Sequence, residues 1–119
     1  MTEDDVRRIA TSLPRVTEKP SYGTPGFRVA DRLFARMHQD GGLLVVWCDG
    51  LDEKESLLES DPGVYTTTSH YDGHPMVLVR LDAVDEHTLR AAIEDSWRLR
   101  APVRLREAAE RGEGGPARG

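Results

Sequence analysis

The chain has 119 residues, of which 38% are hydrophobic and 31% charged, and its formal net charge is −5 at pH 7. This length and composition predict one globular domain with a single core, and the negative charge argues against a protein whose whole surface binds nucleic acid. No run approaches the roughly 20 apolar residues that cross a bilayer, and the acidic start MTEDDVRR is unlike a signal peptide. We therefore expect a cytoplasmic protein without membrane contact.

The first predicted element is a helix from about Thr2 to Leu13, followed by a strand-rich region. Thr2 is a suitable N-cap, and Asp5, three residues later, completes a capping box. The apolar positions of this helix follow its period and predict one buried stripe: Val6, Ile9, Ala10 and Leu13. Strands are predicted over 16–22, 27–30, 32–38 and 43–48. The Asp40-Gly41-Gly42 turn predicts a hairpin, and hence an antiparallel sheet.

The strand LLVVWC (43–48) is apolar on both faces, as expected for the centre of a sheet. The only cysteine of the chain, Cys48, lies in this strand and is interpreted as a small buried hydrophobic residue. A nucleophilic thiol needs a base and an electropositive setting, and the adjacent Asp49 disfavours the thiolate.

The second half of the chain begins with a short helix, for which Asp52 is the predicted N-cap and Glu55 the capping-box partner. A strand (64–68), a loop (69–75) and a strand (76–81) follow, and then a helix that starts at Asp85. Its predicted core face consists of Leu89, Ala92, Ile93, Ser96 and Trp97. This helix ends before Ala101-Pro102. From 106 to 119 the chain is polar and glycine-rich, which predicts a disordered tail beyond a domain of residues 1–105.

The order of elements, α-β-β-β-β-α-β-β-α, predicts an α+β fold. Helices at the beginning, middle and end of a chain of hairpins fit a two-layer sandwich, with an antiparallel sheet and the helices packed on one face.

Several segments in this order resemble the MmcQ/YjbR family. They are LPRVTEKPSYGTPGFRV (13–29), LFARM (33–37), VVWCD (45–49), LLESDPGVY (57–65) and SHYDGHPMVLVRLDAVDEHTLRAAIEDSWRLRAP (69–102). The resemblance covers nearly the whole predicted domain. It implies a fold similar to those of CyaY and the type III secretion chaperones, and a DNA-binding role through a wing-like hairpin arrangement. It supplies no residue-level site.

One candidate nucleic-acid site is the polar side of the strand over 32–38. Strict alternation places Arg32, Phe34, Arg36 and His38 on one face, and Arg28 and Arg80 extend this face from other strands. Arginines mixed with aromatic residues on an open sheet are typical of proteins that bind single-stranded nucleic acid. The alternative is an ordinary solvated face of a half-covered sheet.

A second candidate is the basic C-terminal end of the domain, where Arg98, Arg100, Arg104 and Arg106 occur without an intervening acid. These side chains either contact phosphates or pair with the C-terminus of the helix and with the acidic segment 49–61. The sequence leaves both interpretations open.

We predict no metal, cofactor or catalytic site. His70 and His74 are weak metal candidates, because a loop containing Gly73 and Pro75 does not bring them together as a helix would. The alternative is a connecting loop whose Tyr71 packs on the sheet. The segment 22–26 lacks the phosphate-loop pattern, and no nucleophile-elbow motif is present.

We therefore expect a non-enzymatic, monomeric protein with weak nucleic-acid binding. The alternative is a protein-interaction or chaperone-like adaptor module. The distribution of the arginines distinguishes the two, since phosphate binding requires them to form one uninterrupted surface.

Overall fold

The computed structural model describes residues 1–112. Within this range the chain forms one six-stranded sheet, in the order β1-β2-β3-β4-β6-β5, with every neighbouring pair of strands antiparallel. The strands are β1 (Val16–Ser21), β2 (Thr24–Val29), β3 (Arg32–Met37), β4 (Leu43–Trp47), β5 (Tyr65–Thr66) and β6 (Met76–Arg80). The helices are α1 (Glu3–Thr11), α2 (Leu51–Ser60), α3 (Glu86–Arg100) and α4 (Val103–Glu110), with a 3-10 turn at Ser69–Tyr71. The expected α+β fold and the order of its elements are confirmed, and α4 is additional.

The main core lies between the sheet and the helices. The capping box of Thr2 and Asp5 is present at the start of α1, whose Ile9 is fully buried. From α3, Leu89, Ile93 and Trp97 enter the same cluster, as predicted. Trp97 is 3% exposed, and its Nε1–H donates to the carbonyl of Pro14 at 3.0 Å. No helix in residues 1–112 is long and apolar enough to cross a membrane.

The start of α2 differs from the prediction. The helix begins at Leu51 and is preceded by Gly50, which has φ +91° and provides no side-chain cap. The predicted capping box of Asp52 and Glu55 is wrong, because both residues lie inside the helix. The carboxylate of Glu53 instead accepts from the amide of Asp49 at 3.3 Å.

The chain remains helical beyond the predicted domain end at residue 105. The helix α4 covers Val103–Glu110, so a disordered tail from 106 is wrong as far as Glu110. Leu105 and Ala109 are half-buried against the main core. Their spacing of four residues places both on one side of α4. The polar and glycine-rich composition of residues 106–119 did not indicate this apolar side. Residues 113–119 of the predicted tail lie outside the described residues.

A β-bulge in β3 changes which side chains share a face. Phe27 of β2 pairs with Ala35 and Arg28 pairs with Leu33, so Phe34 is the extra residue of β3. Two successive residues of a bulged strand break the usual alternation, and both Phe34 and Ala35 are fully buried in the main core. The predicted face of Arg32, Phe34, Arg36 and His38 is therefore wrong at Phe34, and also at Arg32, which pairs with the core residue Val29.

The opposite side of the sheet is covered over part of its width. Tyr71, from the 3-10 turn, is 5% exposed and packs on Val45 and Leu78 in a smaller cluster. This agrees with the expected packing of Tyr71 on the sheet. The strands β4 and β6 are thus covered on both sides, whereas the far side of β1 to β3 is left more open.

Candidate nucleic-acid interface

The sheet arginines do not form one surface. Arg36 is 9% exposed and donates to the hydroxyl of Tyr71. Arg28 is half-buried, whereas Arg32 and Arg80 are exposed. Arg80 pairs with Leu43, the first residue of β4. Arg28 and Arg32 instead lie near the turn between β2 and β3. Phe34 lies on the other side of the sheet, beneath the helices, where it cannot stack on a base.

The strand register brings other cations together on the open half of the sheet. Lys19 pairs with Gly26, and Gly26 pairs with Arg36. Side chains directly opposite each other in neighbouring strands point to the same face, and Arg28, two residues from Gly26, shares that face. We call Lys19, Arg28, Arg36 and the adjacent Tyr22 the hairpin surface.

Gly26 allows the close packing beneath this surface. A Cβ atom at this position would lie 2.9 Å from the Cβ of Ser21 and 3.0 Å from the backbone oxygen of Lys19. Because the second contact is with backbone, a side chain at position 26 would move β1 away from β2. The hairpin surface therefore depends on a glycine at its centre.

Tyr22 is the most exposed aromatic residue of the hairpin surface. It occupies the turn between β1 and β2 with φ +54°, followed by Gly23 with φ +80°, a pair of values typical of a type I′ turn. Asn and Gly are favoured there because a side chain such as tyrosine is strained at positive φ. The Tyr22 residue is 90% exposed, and the Arg36 guanidinium carbon lies 5.6 Å from the centre of its ring.

The charge around the hairpin surface is opposite to that of the whole chain. Residues 15–38 contain five Lys or Arg side chains and two carboxylates, within a protein of net charge −5. Of these two carboxylates, Glu18 is held by Arg7 of α1 at 2.7 Å, and Asp31 lies 3.8 Å from Lys19. A local excess of cations therefore surrounds an exposed aromatic ring.

The C-terminal arginines are divided among different contacts. Arg98 pairs with Asp95 at 3.3 Å, and Arg106 donates to the carbonyl oxygen of Arg98 at 3.4 Å. Arg100 donates to the carbonyl of Leu33 at 2.9 Å and lies over the Trp47 ring, 4.8 Å from its centre. Arg104 is exposed. Within this group, therefore, Arg98, Arg100 and Arg106 have intramolecular roles, and Arg104 extends into solvent.

The loop that contains the two candidate metal ligands is held by the side chain of Lys54, which bonds to carbonyl oxygens of the loop backbone. His70 and His74 are both exposed, and the ring of His70 lies edge-on to Tyr71 with their centres 5.1 Å apart. Lys54 of α2 is 6% exposed and donates to the carbonyl oxygens of Tyr71 and His74, at 2.6 and 3.0 Å. Within residues 1–112, no three His, Cys, Asp or Glu side chains are grouped to hold a metal ion.

Cys48 is buried, as expected, with 4% of its surface exposed. Burial raises the pKa of its thiol to about 11, and the nearby carboxylate of Glu53 adds to this increase. The thiol is therefore protonated at neutral pH, which makes it a weak nucleophile.

Sequence reasoning did not identify Tyr22 and Lys19 as members of a surface. The glycines and proline of residues 22–26 predict a structural turn without a binding role, and the structure has a turn at Tyr22 and Gly23. The signal in the sequence that could have indicated this surface was Tyr22 itself, because tyrosine is unusual in a two-residue turn that favours asparagine and glycine. The association of Lys19 with Arg36 requires the strand register, which the sequence did not provide.

The chain matches the family model described as YjbR over residues 11–99. It is 32% identical to the uncharacterized protein Rv2570 of Mycobacterium tuberculosis and to the uncharacterized protein Mb2600 of Mycobacterium bovis, over 90% of this chain and 94% of each relative. A similar solved structure is that of Deinococcus radiodurans protein DR2400, with a DUF419 domain. It has a TM-score of 0.70 and 26% identity, and the match covers 82% of this chain and 77% of that one. These matches confirm the resemblance found in the sequence: the chain belongs to the MmcQ/YjbR family.

Proposed function

We propose that this protein is a cytoplasmic, non-enzymatic domain that binds single-stranded nucleic acid weakly through the hairpin surface. The observation that carries the proposal is Tyr22, which is 90% exposed in a left-handed turn beside the cations of β1 to β3. An exposed ring contributes little to the core, so its position at strained backbone is explained by an external contact.

The chemistry of the surface suits a single strand. Every base has a face that can stack on an aromatic ring, and stacking contributes about 1–3 kcal/mol per base. Lys19 and Arg28 are placed to contact the phosphates on either side of such a base. In a duplex the bases are already stacked on one another, so Tyr22 has no base face to contact. The proposal thus replaces Phe34 with Tyr22 as the stacking residue.

Binding is expected to be weak because the rest of the chain is acidic. Two phosphate contacts to a single strand give a slope of about −1.4 in a plot of log K against log salt concentration. The measurement is fluorescence anisotropy of a labelled 20-nucleotide oligo-dT and of a labelled duplex, at increasing NaCl concentrations.

Two variants test the two components of the surface. Tyr22→Asn retains a residue that tolerates the turn and should weaken single-strand binding by about 5- to 150-fold, the equivalent of one lost stacking contact. Arg28→Glu should weaken binding to all sequences and reduce the salt dependence.

Arg104→Glu is the matched control, since Arg104 is an exposed arginine outside the hairpin surface. Its charge reversal should affect binding much less than Arg28→Glu. No binding of the wild type at 20 mM NaCl would refute the proposal, as would a larger loss of affinity in Arg104→Glu than in Arg28→Glu.

The alternative proposal is a protein-interaction or chaperone-like adaptor module. It follows from the fold similarity to CyaY and the type III secretion chaperones that the family resemblance implies. The arginines also do not form one uninterrupted surface, as was required for extensive phosphate binding. A partner protein that remains bound at high salt, with no oligonucleotide binding at low salt, would favour this alternative.

A further inference from the structure

A cleft lies between the start of α2, the end of α3 and α4, away from the hairpin surface. Its volume is about 340 Å³, and its lining residues are Asp49, Glu53, Asp95, Arg98, Leu99 and Arg106. A smaller cavity of about 70 Å³ lies beside it. Glu53 and Asp95 line both spaces, so carboxylates stand where the cleft meets the cavity.

The smaller cavity has an apolar lining, which includes Val46, Leu57, Val77 and Ala92. An engineered cavity of about 150 Å³ binds benzene, so this one suits a small branched side chain rather than an aromatic ring. A ligand for the combined site therefore has a valine-sized apolar group beside a cationic group. The cation would face the cleft carboxylates that lack a cationic partner.

The same end of the molecule exposes unusually large apolar side chains. Leu51 is 51% exposed at the start of α2, Leu99 is 38% exposed near the end of α3, and Val103 is 56% exposed at the start of α4. Of these three residues, Leu99 also lines the cleft, which places exposed apolar surface at the site itself.

The chain itself carries the ligand chemistry that the cleft requires. Val103 is followed by Arg104, whose side chain is exposed and makes no hydrogen bond or ion pair with any other residue from 1 to 112. The pair lies on α4, next to the cleft that Arg106 of the same helix lines. A self-complementary patch of this kind is what a two-fold dimer interface uses.

We propose that the cleft binds a second copy of this chain in a weak two-fold dimer, in place of the monomer expected from the sequence. Val103 of each copy enters the apolar cavity of the other, and Arg104 pairs with Asp49 of the second copy. Asp49 is exposed, and its side chain makes no hydrogen bond or ion pair elsewhere in residues 1–112, so it is available to an incoming cation.

Sedimentation velocity at protein concentrations from 5 to about 500 μM tests the dimer, because a small interface gives weak association that depends on concentration. Val103→Ser should raise the dimer Kd about tenfold, because it removes the apolar group that enters the cavity of the second copy. Val103 is exposed in the single copy, so the substitution should not disturb folding. Arg104→Glu should raise it by a similar factor through repulsion from the cleft carboxylates.

A charge exchange identifies the contact. The double variant Arg104→Glu/Asp49→Arg should restore most of the association lost in Arg104→Glu, and Asp49→Arg alone should be as defective as Arg104→Glu. Arg80→Glu is the matched control, because this exposed arginine pairs with Leu43 at the start of β4, whereas the cleft residue Asp49 follows the end of β4, and its sedimentation should equal that of the wild type.

Three results would overturn the dimer. They are a wild type that remains monomeric at 500 μM, an association that is insensitive to both Val103→Ser and Arg104→Glu, and a charge exchange that restores nothing. None of these outcomes bears on oligonucleotide binding at the hairpin surface, which is tested by Tyr22→Asn and Arg28→Glu, with Arg104→Glu serving there only as the control.

Discussion

Ser96 connects α3 to two strands through a single hydroxyl group. The residue is fully buried, its Oγ–H donates to the carbonyl oxygen of Phe34 in β3, and its Oγ accepts from the Trp47 amide of β4 at 2.9 Å. Because Phe34 is the extra residue of the bulge, its carbonyl needs a partner outside the regular pairing of strands. The hydroxyl of Ser96 therefore satisfies a backbone group that the bulge leaves unpaired.

The substitution Ser96→Ala removes this hydroxyl and little volume, so its cost is that of two unsatisfied backbone groups. A buried group without a partner costs about 1–3 kcal/mol. We assign about 2 kcal/mol to the buried carbonyl of Phe34 and about 1 kcal/mol to the half-buried amide of Trp47. Alanine regains about 0.5 kcal/mol through its higher helix propensity, which leaves a loss of about 2–3 kcal/mol in the free energy of unfolding.

Urea unfolding followed by far-ultraviolet circular dichroism measures this loss. With an m-value of about 2 kcal/mol per molar urea, the midpoint should fall by about 1–1.5 M without a change in m. Ser60→Ala is the matched control. It lies at the exposed end of α2, where its hydroxyl donates only to the carbonyl of Leu57, and it should change stability by less than about 0.5 kcal/mol. If the two variants unfold at the same urea concentration, the bridging role of Ser96 is refuted.

Four further predictions concern a core tryptophan, a buried thiol, a helix cap and two exposed histidines. Trp97→Ala should destabilise the fold by about 3–5 kcal/mol in the same urea assay, and a loss below about 1 kcal/mol would contradict its role as a core anchor. Cys48 should react with iodoacetamide at pH 8 far more slowly in the native protein than in denaturant, because its pKa is raised to about 11; equal rates would contradict its burial. Asp85 caps α3, and the hydrogen bond from the Thr88 amide lowers the pKa of the Asp85 carboxyl. The ionised carboxylate therefore stabilises the fold fully above the unfolded pKa of about 3.9. This stabilisation is lost as the pH falls through the lower pKa of the folded state. The stability of Asp85→Asn should therefore decrease less than that of the wild type between pH 7 and pH 2. A His70→Asn/His74→Asn double variant should have the same melting temperature as the wild type with and without added Zn²⁺, and a zinc-dependent stabilisation lost in the variant would reveal a metal site.

The sequence by itself determined the elements whose signals are local. The stripe of α1 with its Thr2 cap and the core face of α3 around Trp97 each depend on spacing within one helix. The hairpin at Gly41 depends on the chemistry of one turn. Together with the order of the elements, these signals were sufficient for the α+β fold and for the family resemblance.

Only the tertiary structure decided which side chains share a surface. The bulge at Phe34 depends on its pairing with β2 and on the hydroxyl of Ser96, more than 60 residues away, so alternation along β3 could not reveal it. Tyr71 comes from a distant loop to cover Arg36, and Lys19 joins Arg36 only through the register of three strands. A one-residue change in register moves a side chain to the opposite face. The candidate sites therefore depended on contacts between segments far apart in the chain, which the local pattern of residues does not encode.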